Sequence, residues 1–344
     1  MSNASHVSTF PGLVDLLSER LGGRALACTD DFFAGMENLV KPGRGVFVPD
    51  EYTENGKWMD GWESRRRRGG PDHDWCILEL GVPGRIRALD IDTNHFLGNH
   101  PPFAALDAVW APGAEAEDLE NAKWVEVLPQ SPLKAGSQNL FAAGHSDAFT
   151  HVRLRIYPDG GVARLRVYGD VEPDWKLLEE RPETLAQIQH DEVDLASLRN
   201  GAMTLACSDM FFSPMENLIV PGPASNMGEG WETRRKRHPG HDWILVKLAA
   251  PGRVRMAVLD THFFKGNFPD RASIEGIFAP NTKTTDLMHT DEGWQTLLPE
   301  TKMAADTRFH FREQLQDVGA ITHVRVRTFP DGGISRMRLY GVRS

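Results

Sequence analysis

Short runs in which apolar and polar residues alternate dominate the chain, and a period of two predicts β-strands with one buried face. Residues 150–157 and 162–168 both alternate, and a Pro-Asp-Gly-Gly turn separates them at 158–161. Glycine supplies the positive φ that a tight turn needs, so the pattern predicts a β-hairpin. We expect its aliphatic side chains to face a core, and Arg153 and Arg155 to face solvent.

The other predicted strands are also short, and helix is scarce. Residues 75–81 form an apolar run that ends at glycine, and residues 85–92 alternate. Residues 13–21 carry the clearest helical pattern. Many short strands with Gly and Pro turns predict an all-β fold, either a β-sandwich or a jelly roll. The 75–81 strand and the closing hairpin resemble the galactose-binding-like jelly roll, whose binding loops gather at one end of the sandwich.

The whole pattern occurs twice. Asp30 recurs as Asp209, an offset of 179, and His73 recurs as His241, an offset of 168. Most of the difference falls in residues 44–60, a loop that the second copy shortens. Each copy has about 150 residues, the length of an autonomous domain rather than of a solenoid unit. The sequence therefore predicts a first β-sandwich at 13–170, a linker at 171–191 and a second β-sandwich at 192–344.

Composition and charge narrow the class of protein. Of the 344 residues, 40% are hydrophobic and 25% are charged, as in an ordinary globular protein. The net charge of -10 argues against a nucleic-acid partner, and no run approaches the roughly 20 apolar residues of a membrane-spanning helix. Three cysteines make no disulfide framework, and the N-terminus has no signal-peptide pattern. We expect a cytoplasmic protein that binds neither nucleic acid nor membranes.

One charged motif stands beside a tryptophan in both copies. If residues 62–66 are extended, Glu63 and Arg65 share one side of the strand. Arginine offers a planar fork of N–H donors that matches a carboxylate, so the motif suits a small anionic, amide-rich ligand. The alternative is a solvated edge strand whose charges pair with one another.

Further polar residues stand at the ends of the predicted strands. His73 and Asp74 precede the 75–81 strand, where the histidine could act as an acid or a base near neutral pH. Residues 92–99 close the next strand, where binding loops could gather. The alternative is that they serve only as turn residues.

The histidines of this region differ between the copies, because His95 becomes Phe263 and His100 becomes Phe268. A histidine-based metal site would therefore differ as well. No spacing of His or Asp is specific enough to assign metal ligands.

The motifs, in their order, resemble those of the allantoicase family, in which the pattern is also duplicated. In the first copy they are CTDDFF at 28–33, MENL at 36–39, DGWESRR at 60–66, HDW at 73–75, DTNHFLGN at 92–99 and THVRLRIYPDGG at 150–161. The resemblance extends from residue 26 to residue 341. It implies two jelly-roll domains and the hydrolysis of allantoate to (S)-ureidoglycolate and urea in purine catabolism.

The polar residues that the family shares map onto both copies and imply a set of site residues. For catalysis, the expected residues are Glu63, His73, Asp74, Glu232 and His241. For substrate binding, they are Glu37, Trp62, Arg65, Asp92, Thr93, Asn99, Trp231, Arg234 and Asp260. The resemblance does not fix their individual roles. One site per copy, a single competent copy and a site shared between copies or subunits all stay open.

The resemblance also bears on cofactors and partners. No cofactor is certain, and Mn²⁺ is the candidate because some members of the family are metal-stimulated. The expected partners are a small-molecule substrate and further copies of the chain in a homo-oligomer. Two alternatives stand beside allantoate hydrolysis: a ureidoglycolate-cleaving enzyme, and a non-catalytic tandem module that binds a sugar or another small ligand. The paired Glu, Arg, His and Asp residues favour an enzyme.

Overall fold

The computed structural model describes residues 10, 12–69, 72–180, 188–189 and 191–344, apart from the side chains of 177, 179 and 180. The chain separates into two compact units, one ending at Glu172 and the other extending from Pro173 to Ser344. Both consist mainly of β-strands. In the described part of the chain, helix is limited to short 3₁₀ turns and two six-residue α-helices, α1 (Trp175–Glu180) and α2 (Thr284–His289).

The strands of the first unit are short except for one. In chain order they are β1 Val14–Asp15, β2 Arg24–Cys28, β3 Tyr52–Thr53, β4 Gly56–Lys57, β5 Trp62–Glu63, β6 Asp74–Asp92, β7 Phe103–Val109, β8 Val125–Pro132, β9 Gln138–Ala142, β10 Phe149–Tyr157, β11 Gly161–Val162 and β12 Arg164–Val171.

The long strand β6 belongs to both layers of the sandwich. Its first half, through Glu79, pairs with β10 on one edge and β2 on the other. Its second half, from Gly84, pairs with β12 and β9. The outer strands complete one sheet in the order β2-β6-β10-β7-β8 and another in the order β9-β6-β12-β1. A Cβ at Gly84 would lie 2.5 Å from the Asp170 carbonyl oxygen, so only glycine allows this switch between sheets.

The alternation along the strands determines which side chains enter the core. Val152, Leu154 and Ile156 of β10 are fully buried, whereas Arg153 and Arg155 are partly exposed. The predicted division of this strand into an apolar and a polar face is confirmed. Each buried aliphatic side chain contributes about 1.5–3 kcal/mol to stability.

Both ends of β6 lie at the same end of the sandwich. Asp74, which begins β6, is opposite Ile156 of β10, and Asp92, which ends β6, is opposite Arg164 of β12. The short segment 157–163 joins these two partner strands. We call this end of the sandwich the rim. It consists of β5, of the segment 157–163 that contains β11, and of the loops at 29–34, 64–69, 93–102 and 133–137.

The second unit repeats the arrangement. Its strands are β13 Val193–Asp194, β14 Met203–Cys207, β15 Trp231–Glu232, β16 Asp242–Asp260, β17 Arg271–Ile277, β18 Gln295–Lys302, β19 Arg308–Phe311, β20 Ile321–Phe329, β21 Gly333–Ile334 and β22 Arg336–Arg343. The long strand β16 pairs with β20 and β14 along its first half and with β22 and β19 along its second. The prediction of two tandem jelly-roll sandwiches with little helix is confirmed.

The predicted hairpin is wrong. β10 pairs with β6 and β7, whereas β12 pairs with β6 and β1, so the two strands lie in different sheets. The turn between them carries the chain across the rim. Gly161 and Val162 then form β11, which pairs with Trp62 and Glu63 of β5. Alternation is a local property, but the whole sandwich decides which strands are neighbours.

The predicted helix at 13–21 is also wrong, because the segment forms β1 and then a 3₁₀ turn at Glu19–Leu21. The Leu16 N–H donates to the Val167 carbonyl at 2.7 Å, and the Leu16 carbonyl accepts from the Gly81 N–H at 2.8 Å. These sheet-like bonds occupy the groups that a helix would need. Burial of the leucines in this segment explains its apolar pattern.

The predicted linker at 171–191 contains regular structure. β12 extends to Val171, and α1 begins at Trp175. Trp175 and Leu178 pack against the core of the second unit. Residues 181–187 and 190 of the predicted linker lie outside the described residues.

Candidate functional site

The rim brings the sequence-predicted residues of the first repeat to one end of the sandwich. They lie in its loops, at the adjoining strand ends or, for Glu37, in the 3₁₀ turn Met36–Val40. Asn38 ties that turn to the rim by donating to the Gly61 carbonyl at 3.0 Å. The predicted side chains do not form one hydrogen-bonded network. Instead, they form separate contacts, each with its own neighbouring residues.

Glu63 forms the first pair. Its backbone is fixed on both sides, because Glu63 pairs with Gly161 of β11 and bridges to Ala34. Its Oε1 accepts a hydrogen bond from Asn99 Nδ2 at 2.7 Å. Burial raises the pKa of Glu63, and the bond from Asn99 only partly opposes this. A raised pKa makes a carboxyl group better suited to act as a general acid.

The second repeat contains the same pair. Glu232 accepts a hydrogen bond from Asn267. Burial likewise raises the pKa of Glu232. This pair therefore does not distinguish the two repeats.

Arg65 forms the second pair, with Asp30. Its backbone N–H and Nε donate to the two Asp30 oxygens, both at 2.7 Å. The guanidinium lies 5.0 Å from the Phe32 ring centroid, and 63% of the side chain is exposed. Burial raises the pKa of Asp30, but the hydrogen bonds from Arg65 outweigh it, so the net shift is downward. Arg65 is thus held in place and can still meet an anion from solvent.

Arg234 has the same surroundings in the second repeat. Asp209 holds its Nε at 3.0 Å, and the ring of Phe211 lies 4.9 Å from its guanidinium.

Asp74 does not face the solvent side of the rim. It is only 2% exposed, and its Oδ1 accepts from Thr29 Oγ1 at 2.8 Å and from Arg67 Nη2 at 2.7 Å. Arg67 also donates its backbone N–H to Asp159 at 2.8 Å, which connects the start of β6 to the turn at 157–163. Asp74 therefore holds the rim together. Its predicted catalytic role would have to act through these neighbours.

His73 lies beside Asp74 but faces a different environment. Its Nδ1 is 2.7 Å from Asp72 Oδ1, and its ring lies 5.2 Å from that of Tyr157. Its side chain is 26% exposed. The counterpart His241 packs against Phe329, and burial together with Arg327 lowers the pKa of His241.

Trp62, Asp92 and Thr93 are buried, and their polar atoms are occupied. Trp62 Nε1 donates to the Asp30 carbonyl at 2.9 Å. Arg44 donates hydrogen bonds to both carboxylate oxygens of Asp92, at 2.7 and 2.8 Å. These contacts leave no surface for a ligand, so the predicted substrate-binding residues Trp62, Asp92 and Thr93 lie in the framework of the rim.

Their counterparts in the second repeat are buried in the same way. Trp231 donates to the Asp209 carbonyl at 2.9 Å, and Arg308 binds Asp260 at 2.7 Å. The arginine that binds this aspartate comes from the 44–60 loop in the first repeat and from β19 in the second.

The Thr93 hydroxyl gives a direct test of the framework interpretation. It donates to the Lys134 carbonyl at 2.6 Å and accepts from the Ser137 N–H at 3.1 Å. Replacing Thr93 by Val removes the acceptor of the Ser137 N–H and leaves the Lys134 carbonyl with only the bond from Asn139 Nδ2 at 3.3 Å. We expect a loss of about 1–3 kcal/mol in the free energy of unfolding, measured with guanidinium. We expect kcat/KM to stay within about twofold of the wild type. A selective loss of activity without a loss of stability would instead assign Thr93 to the substrate.

Sequence reasoning missed several residues that fix the site. They are Asp30, Arg44, Arg67, Asp72 and Tyr157. Asp30 could have been found, since it stands in a motif present in both copies. The partners of Arg44 and Tyr157 are far away in sequence and become visible only in the folded chain.

A concavity in the first unit lies away from the rim. It has a volume of about 590 Å³ and is lined by Trp110, Lys123 and Phe149, among others. Trp110 follows β7, Lys123 precedes β8 and Phe149 begins β10, which places the concavity at the end of the first sandwich opposite the rim. Its mostly apolar lining offers little acid–base chemistry, so we place the candidate site at the rim.

The donor set for a metal ion is lacking in the described part of the chain. There, no three side chains of His, Cys, Asp or Glu come together in a group that could hold an ion. The residues present at the rim do not fit the Mn²⁺ that the family resemblance suggests.

Fold and site together define a tandem jelly-roll protein that gathers acidic, imidazole and guanidinium groups at one rim of each sandwich. Comparison with known proteins specifies it further. A model of the allantoicase repeat matches residues 14–172 and 193–344. The chain belongs to the allantoicase family.

Individual relatives match over nearly their full length. A probable allantoicase from Photobacterium profundum is 46% identical, over 97% of this chain and 98% of that protein. A probable allantoicase from Ralstonia nicotianae is 44% identical, over 96% and 94% of the two chains. The crystal structure of allantoicase from Saccharomyces cerevisiae superposes with a TM-score of 0.80 at 32% identity, covering 97% of this chain and 95% of that one.

Proposed function

We propose that the chain hydrolyses allantoate to (S)-ureidoglycolate and urea, a step of allantoin and purine catabolism. The observation that carries the proposal is the match to probable allantoicases over nearly the whole of both chains. The rim supports it, because the rim presents a carboxylate-binding cation together with two groups suited to proton transfer.

Arg65 is the residue that we assign to the substrate carboxylate. Two of its nitrogens are committed to Asp30, and the guanidinium plane rests on Phe32. The orientation of the planar fork is therefore set before a ligand arrives. A preoriented guanidinium loses less conformational entropy on binding than a free one.

Glu63 and His73 are the residues that we assign to proton transfer. Allantoate carries two ureido groups on one carbon. As one C–N bond breaks, the acid Glu63 donates a proton to the departing nitrogen, and urea leaves. The base His73 removes the N–H proton of the remaining ureido group, which forms a C=N bond. Water then adds its hydroxyl to the carbon and its proton to the nitrogen, which gives ureidoglycolate.

The direction of the Glu63 pKa shift agrees with this assignment. A general acid must be protonated before the step, and burial raises the pKa of Glu63. No covalent nucleophile is needed. Burial also raises the pKa of Cys28 to about 12, so this rim-side thiol is a poor nucleophile.

The purified full-length chain, incubated separately with allantoate and with ureidoglycolate, tests the proposal. We expect urea from allantoate and no glyoxylate from ureidoglycolate, with and without added Mn²⁺. Release of glyoxylate from ureidoglycolate, without release of urea from allantoate, would instead identify a ureidoglycolate-cleaving enzyme. Binding of allantoate without release of urea, in both metal conditions, would identify a binding module.

We propose a cytoplasmic location, a homo-oligomeric assembly and the absence of a nucleic-acid partner. Among the described residues, no helix is both long enough and apolar enough to cross a membrane.

A further inference from the structure

We propose that the first repeat alone carries out the chemistry, with Tyr157 as a further catalytic residue beside His73 and with Asp72 as a positioning residue. The inference rests on the proposed function, and it assigns that function to one of the two rims. It comes from residues that the two repeats do not share, because the shared pairs of Glu63 and Arg65 cannot separate them.

Four polar or titratable side chains of the first rim are replaced in the second by groups that cannot exchange a proton. The matching positions are Asp72 and Gly240, His95 and Phe263, His100 and Phe268, and Tyr157 and Phe329. The replacements leave the sandwich intact, since β6 and β16 pair with their neighbours in the same pattern. At these four positions the difference is therefore chemical rather than architectural.

The surroundings of the shared histidine show this most clearly. His73 and Tyr157 have ring centroids 5.2 Å apart and planes inclined by 41°. His241 and Phe329 have the same separation, 5.2 Å, and an inclination of 43°. The second repeat thus keeps the position of both rings but lacks the phenol hydroxyl and the carboxylate that accompany His73.

The Tyr157 hydroxyl is arranged to donate a hydrogen bond outward. Its oxygen accepts a hydrogen bond from Arg155 Nη1 at 2.8 Å, and Asp107 holds Arg155 at 2.8 Å. Burial raises the pKa of Tyr157, which keeps the phenol protonated. A phenol whose oxygen already accepts one bond can direct its own hydrogen to the oxygen or nitrogen of a ureido group.

Asp72 acts on the substrate only through His73. Its carboxylate lies 2.7 Å from Nδ1 and fixes the orientation of the imidazole, which leaves Nε2 to face the ligand. Gly240 offers His241 no such partner.

The loop at 44–60, which is longer in the first repeat, closes one side of its rim. Arg44 anchors the loop to Asp92, and Asn55 Nδ2 donates to the Phe32 carbonyl at 2.8 Å. The phenylalanine beside the rim arginine is accordingly less exposed in the first repeat, at 41% for Phe32 against 63% for Phe211. A rim that is closed on one side excludes water better, which strengthens polar contacts with a ligand.

The second repeat has one acid–imidazole pair of its own, His262 and Asp306, 2.9 Å apart. The same Asp306 oxygen accepts the Phe263 N–H at 2.7 Å, so this carboxylate stabilises a turn. Replacing His262 by Gln is a control for a histidine that lies in the rim of the second repeat but outside the proposed chemistry.

Matched variants of the full chain, assayed for urea release from allantoate, test the inference. We expect His73→Gln to lower kcat/KM about a hundredfold, and His241→Gln and His262→Gln to lower it less than about threefold. Tyr157→Phe installs the residue that the second repeat already accommodates, and we expect kcat to fall about tenfold to a hundredfold. Phe329→Tyr should change nothing.

Asp72 requires a measurement that separates positioning from folding. We expect Asp72→Gly to lower kcat about tenfold while KM stays within about twofold, and Asp72→Glu to restore most of the loss. Equal losses from His73→Gln and His241→Gln would overturn the assignment to one repeat, as would a larger loss from His241→Gln or His262→Gln. Full activity of Tyr157→Phe would show that Tyr157 has no catalytic role. A wild-type chain that releases no urea would refute the proposed function itself, before any variant is compared.

Discussion

Replacing Glu63 by Gln should reduce kcat/KM for urea release from allantoate by about 10²–10⁴-fold, the usual contribution of a general acid. Glutamine keeps the size of the side chain, and its amide oxygen can still accept the bond from Asn99. The change therefore removes the transferable proton and little else. The backbone of Glu63 is held by β11 and by Ala34, so the rim should keep its shape.

The dependence on pH distinguishes this explanation from a loss of folding. Burial raises the pKa of Glu63, and a general acid is active only while protonated. The wild-type kcat/KM should consequently fall as the pH rises through the pKa of Glu63. The residual activity of Glu63→Gln should lack this fall, because an amide does not titrate.

Glu232→Gln measures how much the second repeat contributes to urea release in the same assay. Its carboxyl has the same asparagine partner and the same direction of pKa shift. If the first repeat alone is competent, this variant loses less than about threefold. A loss below about threefold for Glu63→Gln, with unchanged circular dichroism, would remove Glu63 from the proton-transfer role.

Replacing Asp60 by Ala should lower the free energy of unfolding by about 3–5 kcal/mol, because it leaves a buried arginine without its counter-ion. The side chains of Asp60 and Arg164 are only 9% and 4% exposed, and Asp60 Oδ2 lies 2.8 Å from Arg164 Nη2. The same oxygen accepts the Val46 N–H at 2.9 Å, so the 44–60 loop loses an anchor too. Guanidinium unfolding followed by circular dichroism measures the effect.

The second repeat supplies the matched control. Glu229 occupies the equivalent position, but its side chain is 35% exposed and lies 3.8 Å from Arg336. Glu229→Ala should therefore cost only about 1 kcal/mol. Equal effects of the two substitutions would show that burial does not determine the strength of the Asp60 pair. Asp60→Asn, which keeps an acceptor for Val46, provides a second measurement if the alanine variant does not fold.

The Asp60 effect should also depend on pH. Burial raises the pKa of Asp60, but the hydrogen bonds from Arg164 and Val46 outweigh it and lower the pKa overall. A carboxyl group with a lowered pKa in the folded state stabilises the fold above its pKa in the unfolded chain, about 4. This contribution disappears as the pH falls through the lower, folded-state value. The difference in stability between wild type and Asp60→Ala should therefore shrink in acid.

The local features of this fold could be predicted from the sequence. The alternation in β10 identified the side chains that enter the core, because successive residues of a strand point to opposite faces whatever the strand pairs with. The duplication and the order of the motifs identified two similar sandwiches and the family. They also placed Glu63, Arg65 and His73 among the candidate site residues.

The pairing of strands and the environment of each side chain were decided by the tertiary structure. The hairpin prediction failed because β6 switches sheets at Gly84 and takes β10 and β12 as partners in different layers. Trp62 stands next to charged residues in the sequence, yet the fold buries it completely.

The same reason applies to the charges of the rim. Arg44 is hydrogen-bonded to Asp92, which lies 48 positions away in the sequence, and Arg164 to Asp60, which lies 104 positions away. Residue type and spacing determined which side chains could carry chemistry in this protein. The passage of β6 from one sheet into the other brings partners from distant parts of the chain into contact. Only the tertiary structure therefore determined which of these side chains are exposed at the rim and which are buried and hold it together.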